Sequence, residues 1–145
     1  MSTTSTQPPT PPASATSVLV VVDDDANVAR ALGMWMQVRN KAYCTFESGE
    51  ALLGALDTSH GVVRVPFQGQ WMPVETALLD LNLPGISGYD LARKLLALDP
   101  QLRVVIMTAT MVEERYIHGT LPEGVTCLTK PFTIQALDDA LLGTD

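Results

Sequence analysis

Five short apolar runs, four of them followed by a stretch of helical periodicity, constrain this chain more than any other feature of its sequence. The runs at 18–22, 42–46, 76–79, 104–107 and 125–128 have the length of strands. After the first, Val28, Ala31, Leu32, Trp35 and Met36 recur at i, i+3, i+4, i+7 and i+8, the spacing of one buried helix face. Ala51, Leu52, Ala55 and Leu56 repeat the pattern behind a capping Ser48, as do Leu91, Leu95 and Leu98 after the third run. Ile134, Leu137 and Leu141 follow a capping Thr133. After the fourth run, residues 111–118 form a shorter helix candidate that Gly119 and Pro122 would end. Strands alternating with helices cannot pair as hairpins, so the pattern predicts a parallel sheet covered on both faces, with right-handed crossovers.

One stretch breaks the rhythm. Residues 57–75 link the second helix to the third strand over a length far beyond the usual two to six residues. Val62, Val63, Val65 and Phe67 precede a Gln68-Gly69 step, and Trp71, Met72 and Val74 follow it, which predicts an inserted hairpin. Pro66 and Pro73 would hold it to edge positions. Helices return the chain from the carboxyl ends of the strands, so the insertion belongs at the opposite end of the sheet. Trp71 is expected to anchor it, the other reading being an exposed contact for a partner.

Polar residues stand where the strands end: Asp23 and Asp24, Asp80, Thr108 and Lys130. In an open α/β sheet these ends share one rim, the usual place for a site. Crowded carboxylates raise one another's pKa unless a divalent cation and an ammonium offset the charge, so the set suggests metal-assisted phosphoryl chemistry. Asp25 reads as a surface acid, and His60 and His118 are too isolated to be given a role.

Charge and composition narrow the partners. A net charge of -7 with nine Lys and Arg opposes binding to a nucleic-acid backbone. No apolar run is long enough to span a membrane. Residues 1–17, rich in Ser, Thr and Pro and without a charge, lack the basic start and apolar stretch of a secretory signal and are expected to be disordered. The domain is expected to run from 18 to 145. Cys44 and Cys127 have no metal-ligand spacing and read as free thiols, consistent with a cytoplasmic protein.

VVVDDDANVARAL, LLDLNLPGISG, VIMTAT and LTKPF together resemble the four signature blocks of bacterial response-regulator receiver domains, in the correct order over roughly residues 18–142. The resemblance implies a flavodoxin-like, doubly wound, five-stranded parallel sheet of order 2-1-3-4-5. It implies that Asp80 accepts a phosphoryl group from the phosphohistidine of a histidine kinase or histidine phosphotransfer protein. Mg²⁺ would be held by Asp24, Asp80 and the backbone carbonyl of Asn82, with Asp23 acting through water. Lys130 would pair with Asp80 and then with the phosphoryl group, aimed inward by a cis bond to Pro131. Thr108 would swing toward the phosphoryl group, while Pro84 and Gly88 shape the loop after Asp80.

The same resemblance implies a phosphoacceptor rather than a conventional turnover enzyme. It would signal by contact with an output protein, as a monomer or a phosphorylation-dependent dimer. One departure concerns the switch: the family's aromatic residue three positions before the lysine is Cys127 here. Tyr116 reads as a helix residue and not as its substitute. Two other readings compete. One is an adaptor with the receiver fold that binds partners regardless of phosphorylation. The other is an aspartyl-phosphate phosphohydrolase of the haloacid-dehalogenase type, which wants an acid where this chain has Asn82.

Overall fold

The computed structural model describes residues 15–109 and 125–142. The helix expected at 111–118, with Tyr116, His118, Gly119 and Pro122, and all but the last three residues of the expected tail lie outside that range. Among the described residues the order is β1 (Val18–Val22), α1 (Ala26–Val38), β2 (Tyr43–Phe46), α2 (Gly49–Ala55), β3 (Arg64–Phe67), β4 (Gln70–Asp80), α3 (Gly88–Leu98), β5 (Arg103–Thr108), β6 (Thr126–Thr129) and α4 (Ile134–Leu141).

The parallel sheet runs β2-β1-β4-β5-β6, the expected doubly wound order, with β3 added antiparallel to β4. The sixth strand comes from the insertion. Its hairpin turns at Gln68 and Gly69, both at positive φ, and the partner strand does not stop but continues as the 11-residue β4 through to Asp80. Val18 pairs with Val74 while Leu19 pairs with Thr76, so Glu75 is bulged out. That extra residue flips the alternation, which keeps Met72 and Val74 on the same face as Ala77 and Leu79. The hairpin thereby extends one core instead of starting another.

Two apolar layers flank the sheet. Val20, Val22, Ala77, Leu79, Val104 and Ile106 pack under α2 and α3 through Leu52, Leu91 and Leu95. Leu19, Val21, Leu78, Val105 and Met107 pack under α1 and α4 through Leu32, Met36, Leu137 and Leu141. Serine and threonine caps set the helix starts as the sequence suggests: Ser48 accepts from the Ala51 amide and Thr133 from the Ala136 amide. Asp25 is more than a surface acid, because it caps α1 through the Asn27 amide. The helical pattern overreaches at four places: Ala31, Ala51, Leu98 and Ile134 are exposed.

Two features fasten the periphery. Asp138 of α4 accepts from Trp35 Nε1 at 3.0 Å and from Arg39 Nη2 at 2.9 Å, tying the last helix to the first. On the side of β3 away from β4, the amide and carbonyl of Arg64 both bond Asp57, and Pro66 offers no amide at all. Trp71 does not anchor the insertion. It alternates with the buried Met72, so it faces outward and is 48% exposed, while Val63, Val65, Met72 and Val74 supply the packing. The hairpin lies at the amino end of the parallel strands, as the direction of the crossovers requires; the Val63 amide bonds Asp99, at the far end of α3 from Asp80.

Candidate functional site

Strand register brings the polar residues together. Val22 of β1 lies beside Leu79 of β4, so the next residues, Asp23 and Asp80, come level. Asp80 pairs with Met107, one residue before Thr108, and Thr108 pairs with Thr129, one residue before Lys130. The last step is reinforced by the Lys130 amide, which donates to the Thr108 carbonyl at 2.7 Å. Lys130 and Pro131 are joined by the expected cis bond.

Asp23, Asp24 and Asp80 each offer a carboxylate oxygen, and the three oxygens lie within 4.8 Å of one another. Lys130 Nζ is 3.1 Å from Asp23 Oδ2 and 3.5 Å from Asp80 Oδ1, so the ammonium is shared between the two buried acids and sits nearer the first. Asp23 is 4% exposed and Asp80 8%, whereas Asp24 stands open to solvent. Burial pushes the Asp23 carboxyl above its ordinary value, with the Asp25 amide opposing. The charge on Asp80 pushes it further in the same direction, and Lys130 also opposes. Negative charge is therefore held here in excess. An all-oxygen donor set of this charge suits a small, hard divalent cation.

Thr108, the last residue of β5, is 1% exposed. Asn82 donates its amide to Asp80 Oδ1 at 3.2 Å, fixing one carboxylate oxygen from below. The loop after Asp80 closes on itself through the Gly88 amide, which donates to the Leu81 carbonyl at 3.0 Å. A Cβ on Gly88 would stand 2.8 Å from the Asp80 carbonyl carbon and 2.9 Å from Leu81 Cα, so α3 starts this close to the strand end only because the residue is glycine. Cys127, in the place of the family's ring, is a partly buried strand residue packed beside the α2–α3 core.

One contact near the site has no counterpart in the expectations. Glu50 Oε2 accepts from the Ile86 amide at 2.8 Å, across 36 residues. An acid in a helix's first turn is ordinarily read as a complement to the helix dipole, which hides such a tether in sequence. His60 is engaged with Ser59 and Arg64 at the hairpin base, far from the acids in the fold.

Comparisons with known proteins agree with this geometry. The response regulator receiver domain profile matches residues 19–142. Transcriptional regulatory protein CreB of Escherichia coli is 33% identical over 113 residues, covering 78% of this chain and 44% of that protein. Sporulation initiation phosphotransferase F of Bacillus subtilis is 28% identical over 128 residues, covering 85% of this chain and 89% of the other. The chain spans less than half of CreB and 23% of the dicarboxylate-transport regulator DctD of Rhizobium meliloti. Among solved structures, a receiver domain of Clostridium thermocellum superposes with a TM-score of 0.68 at 21% identity, covering 88% of this chain and 92% of its own. The chemotaxis protein CheY4 of Vibrio cholerae gives 0.67 at 17%, covering 90% and 100%. TrrA of Thermotoga maritima, solved with Mg²⁺-BeF, gives 0.67 at 20%, covering 88% and 97%. These likenesses establish the flavodoxin-like fold, and with strand ends that gather acids, a hydroxyl and an amine at one rim, the chain belongs to the response regulator receiver domain family.

Proposed function

We propose that Asp80 is a phosphoacceptor that takes a phosphoryl group from a phosphohistidine and passes the signal on by protein contact. The observation that carries this reading is the convergence of Asp23, Asp24 and Asp80 within 4.8 Å, with Lys130 in reach of two of them. In the transfer, an Asp80 oxygen bonds to phosphorus as the phosphorus–nitrogen bond breaks. The departing imidazole nitrogen keeps the electron pair and takes up a proton, and Asp80 becomes an acyl phosphate.

Asp24, Asp80 and the Asn82 carbonyl would hold Mg²⁺, with Asp23 acting through water; bound there, the ion offsets charge on the phosphoryl oxygens. Lys130 leaves its place between the two acids to meet a phosphoryl oxygen, which supplies the electrostatic stabilisation on which this transfer depends. The Asn82 amide keeps one Asp80 oxygen occupied, so the other is the nucleophile. Thr108 supplies a hydroxyl at the same rim. The chain assists its own phosphorylation and dephosphorylation and is not a turnover enzyme. A histidine kinase or phosphotransfer protein would be the donor and a further protein the receiver of the signal.

The test is incubation with Mg²⁺ and a small acyl-phosphate donor. One hydroxylamine-sensitive phosphoryl group per chain is expected, lost in Asp80→Asn and in chelator. Labelling that persists in Asp80→Asn would refute the assignment.

A further inference from the structure

The loop that carries Asn82 is held at both ends by different means. At its start, the Leu81 amide bonds the Met107 carbonyl and the Asn82 amide bonds Asp80 itself. At its far leg the partner comes from another element. Glu50, in the first turn of α2, accepts from the Ile86 amide at 2.8 Å, immediately before Ser87 caps α3.

The surroundings are shaped for that contact. Gly85 has φ of +72°, and a Cβ there would fall 2.5 Å from Glu50 Oε2 and 2.8 Å from Oε1, so the carboxylate lies directly against the turn. A Cβ on Gly49 would overlap the Ile86 side chain and come within 3.2 Å of Leu91 Cδ2. Two glycines thus let the end of α2 and the loop approach each other, and Leu83 seals the loop to the core beneath.

We infer that Glu50 is a positioning residue for the phosphoacceptor site: by holding the Ile86 amide it fixes the loop 82–87, and with it the Asn82 carbonyl. The inference rests on the receiver reading of Asp80. Glu50 itself is exposed and touches none of the reacting groups, so it acts through the loop. Removing a group that orients a metal ligand from outside ordinarily costs about 10- to 100-fold in affinity for the ion or in activity.

The experiment measures Mg²⁺ binding to the metal-free protein by calorimetry, exchange of the Ile86 amide by NMR, and the Mg²⁺ dependence of labelling by a small acyl phosphate. Glu50→Ala should weaken Mg²⁺ binding about three- to tenfold, below the usual range for such residues because this one is exposed. Maximal labelling at saturating Mg²⁺ should stay unchanged, and the Ile86 amide should exchange faster. Glu50→Gln keeps an acceptor oxygen without the charge and should bind Mg²⁺ within about twofold of the parent chain.

Unchanged affinity in Glu50→Ala would overturn the inference. So would an equal loss in both variants, which would assign the effect to charge alone. A parent chain that takes no phosphoryl group would instead sink the receiver reading, so the two failures are distinguishable.

Discussion

Gly88→Ala tests the geometry of the site more sharply than removal of any charged residue. The three nearest atoms to a Cβ at this position are all backbone: the oxygen and carbon of the Asp80 carbonyl and Leu81 Cα, with the carbon contacts at 2.8 and 2.9 Å. Ordinary contact begins near 3.4 Å. The start of α3 and the end of β4 must therefore separate by at least about 0.6 Å, and more at the carbonyl oxygen. Backbone atoms cannot rotate out of the way as a side chain could. Overpacking of this kind costs about 3 kcal/mol at the upper end of its range. Against it stands a gain of about 0.4–1 kcal/mol from restricting the unfolded chain. The net loss is then about 2 kcal/mol, or roughly 8 °C in Tm for a domain of this size.

Gly54→Ala is the matched control. Gly54 also lies in a helix, but nothing among the described residues stands within 4 Å of its would-be Cβ, so the same substitution should raise stability by about 0.5–1 kcal/mol. Thermal unfolding followed by circular dichroism reads both. Because the clash displaces Asp80, the proposed phosphoacceptor, Gly88→Ala should also slow labelling by a small acyl phosphate about 100-fold, the penalty for a misplacement near 1 Å. A Gly88→Ala protein as stable as the parent and labelled at the same rate would refute the close approach of α3 to Asp80.

Lys130→Met removes the ammonium that stands 3.1 Å from Asp23 and 3.5 Å from Asp80; the labelling rate should fall about 100-fold or more while calorimetry still detects Mg²⁺. Because burial raises the Asp23 pKa, the folded state carries that charge at a penalty that is relieved as pH falls through the raised value toward the ordinary 3.8. Urea midpoints should therefore shift in favour of the parent chain over Asp23→Asn as pH drops from 7 into that window, and saturating Mg²⁺ should flatten the difference. Thr76 Oγ1 is buried without a hydrogen-bond partner among the described residues, so Thr76→Val should raise stability by about 1 kcal/mol in the same denaturation assay. The Cys44 thiol is pushed up to about 11 by burial, so at pH 8 about 0.1% of it is thiolate and its alkylation, read by mass spectrometry, should be far slower than that of a free cysteine.

Much of the rim was readable because its signals are local. β4 and β5 end on Asp80 and Thr108, β1 and β6 end one residue before Asp23 and Lys130, and each of these strand ends is marked by the change from apolar to polar side chains. The spacing from Asp23 to Asp80 to Lys130 then needs only parallel register to become proximity. What could not be read depends on contacts between distant segments. Glu50 reaches Ile86 over a turn that only a positive φ at Gly85 makes, and no periodicity encodes it. Trp71 was misjudged because aromatic character favours burial, while the Glu75 bulge and the strand alternation decided its direction. Lys130 stands nearer Asp23 than Asp80, since the more enclosed acid needs the ammonium more.

The outer edge of β3 has a consequence for how the protein behaves at high concentration. A neighbour seeking to extend the sheet there would find Arg64 already satisfied by Asp57 and a proline two residues on, so the insertion adds length without becoming a template for self-assembly. Selectivity at that end of the molecule falls to side chains, with the indole of Trp71 the most prominent. The Gln68–Gly69 tip, remote from the acids, is the natural point at which to graft a foreign peptide without disturbing Asp80.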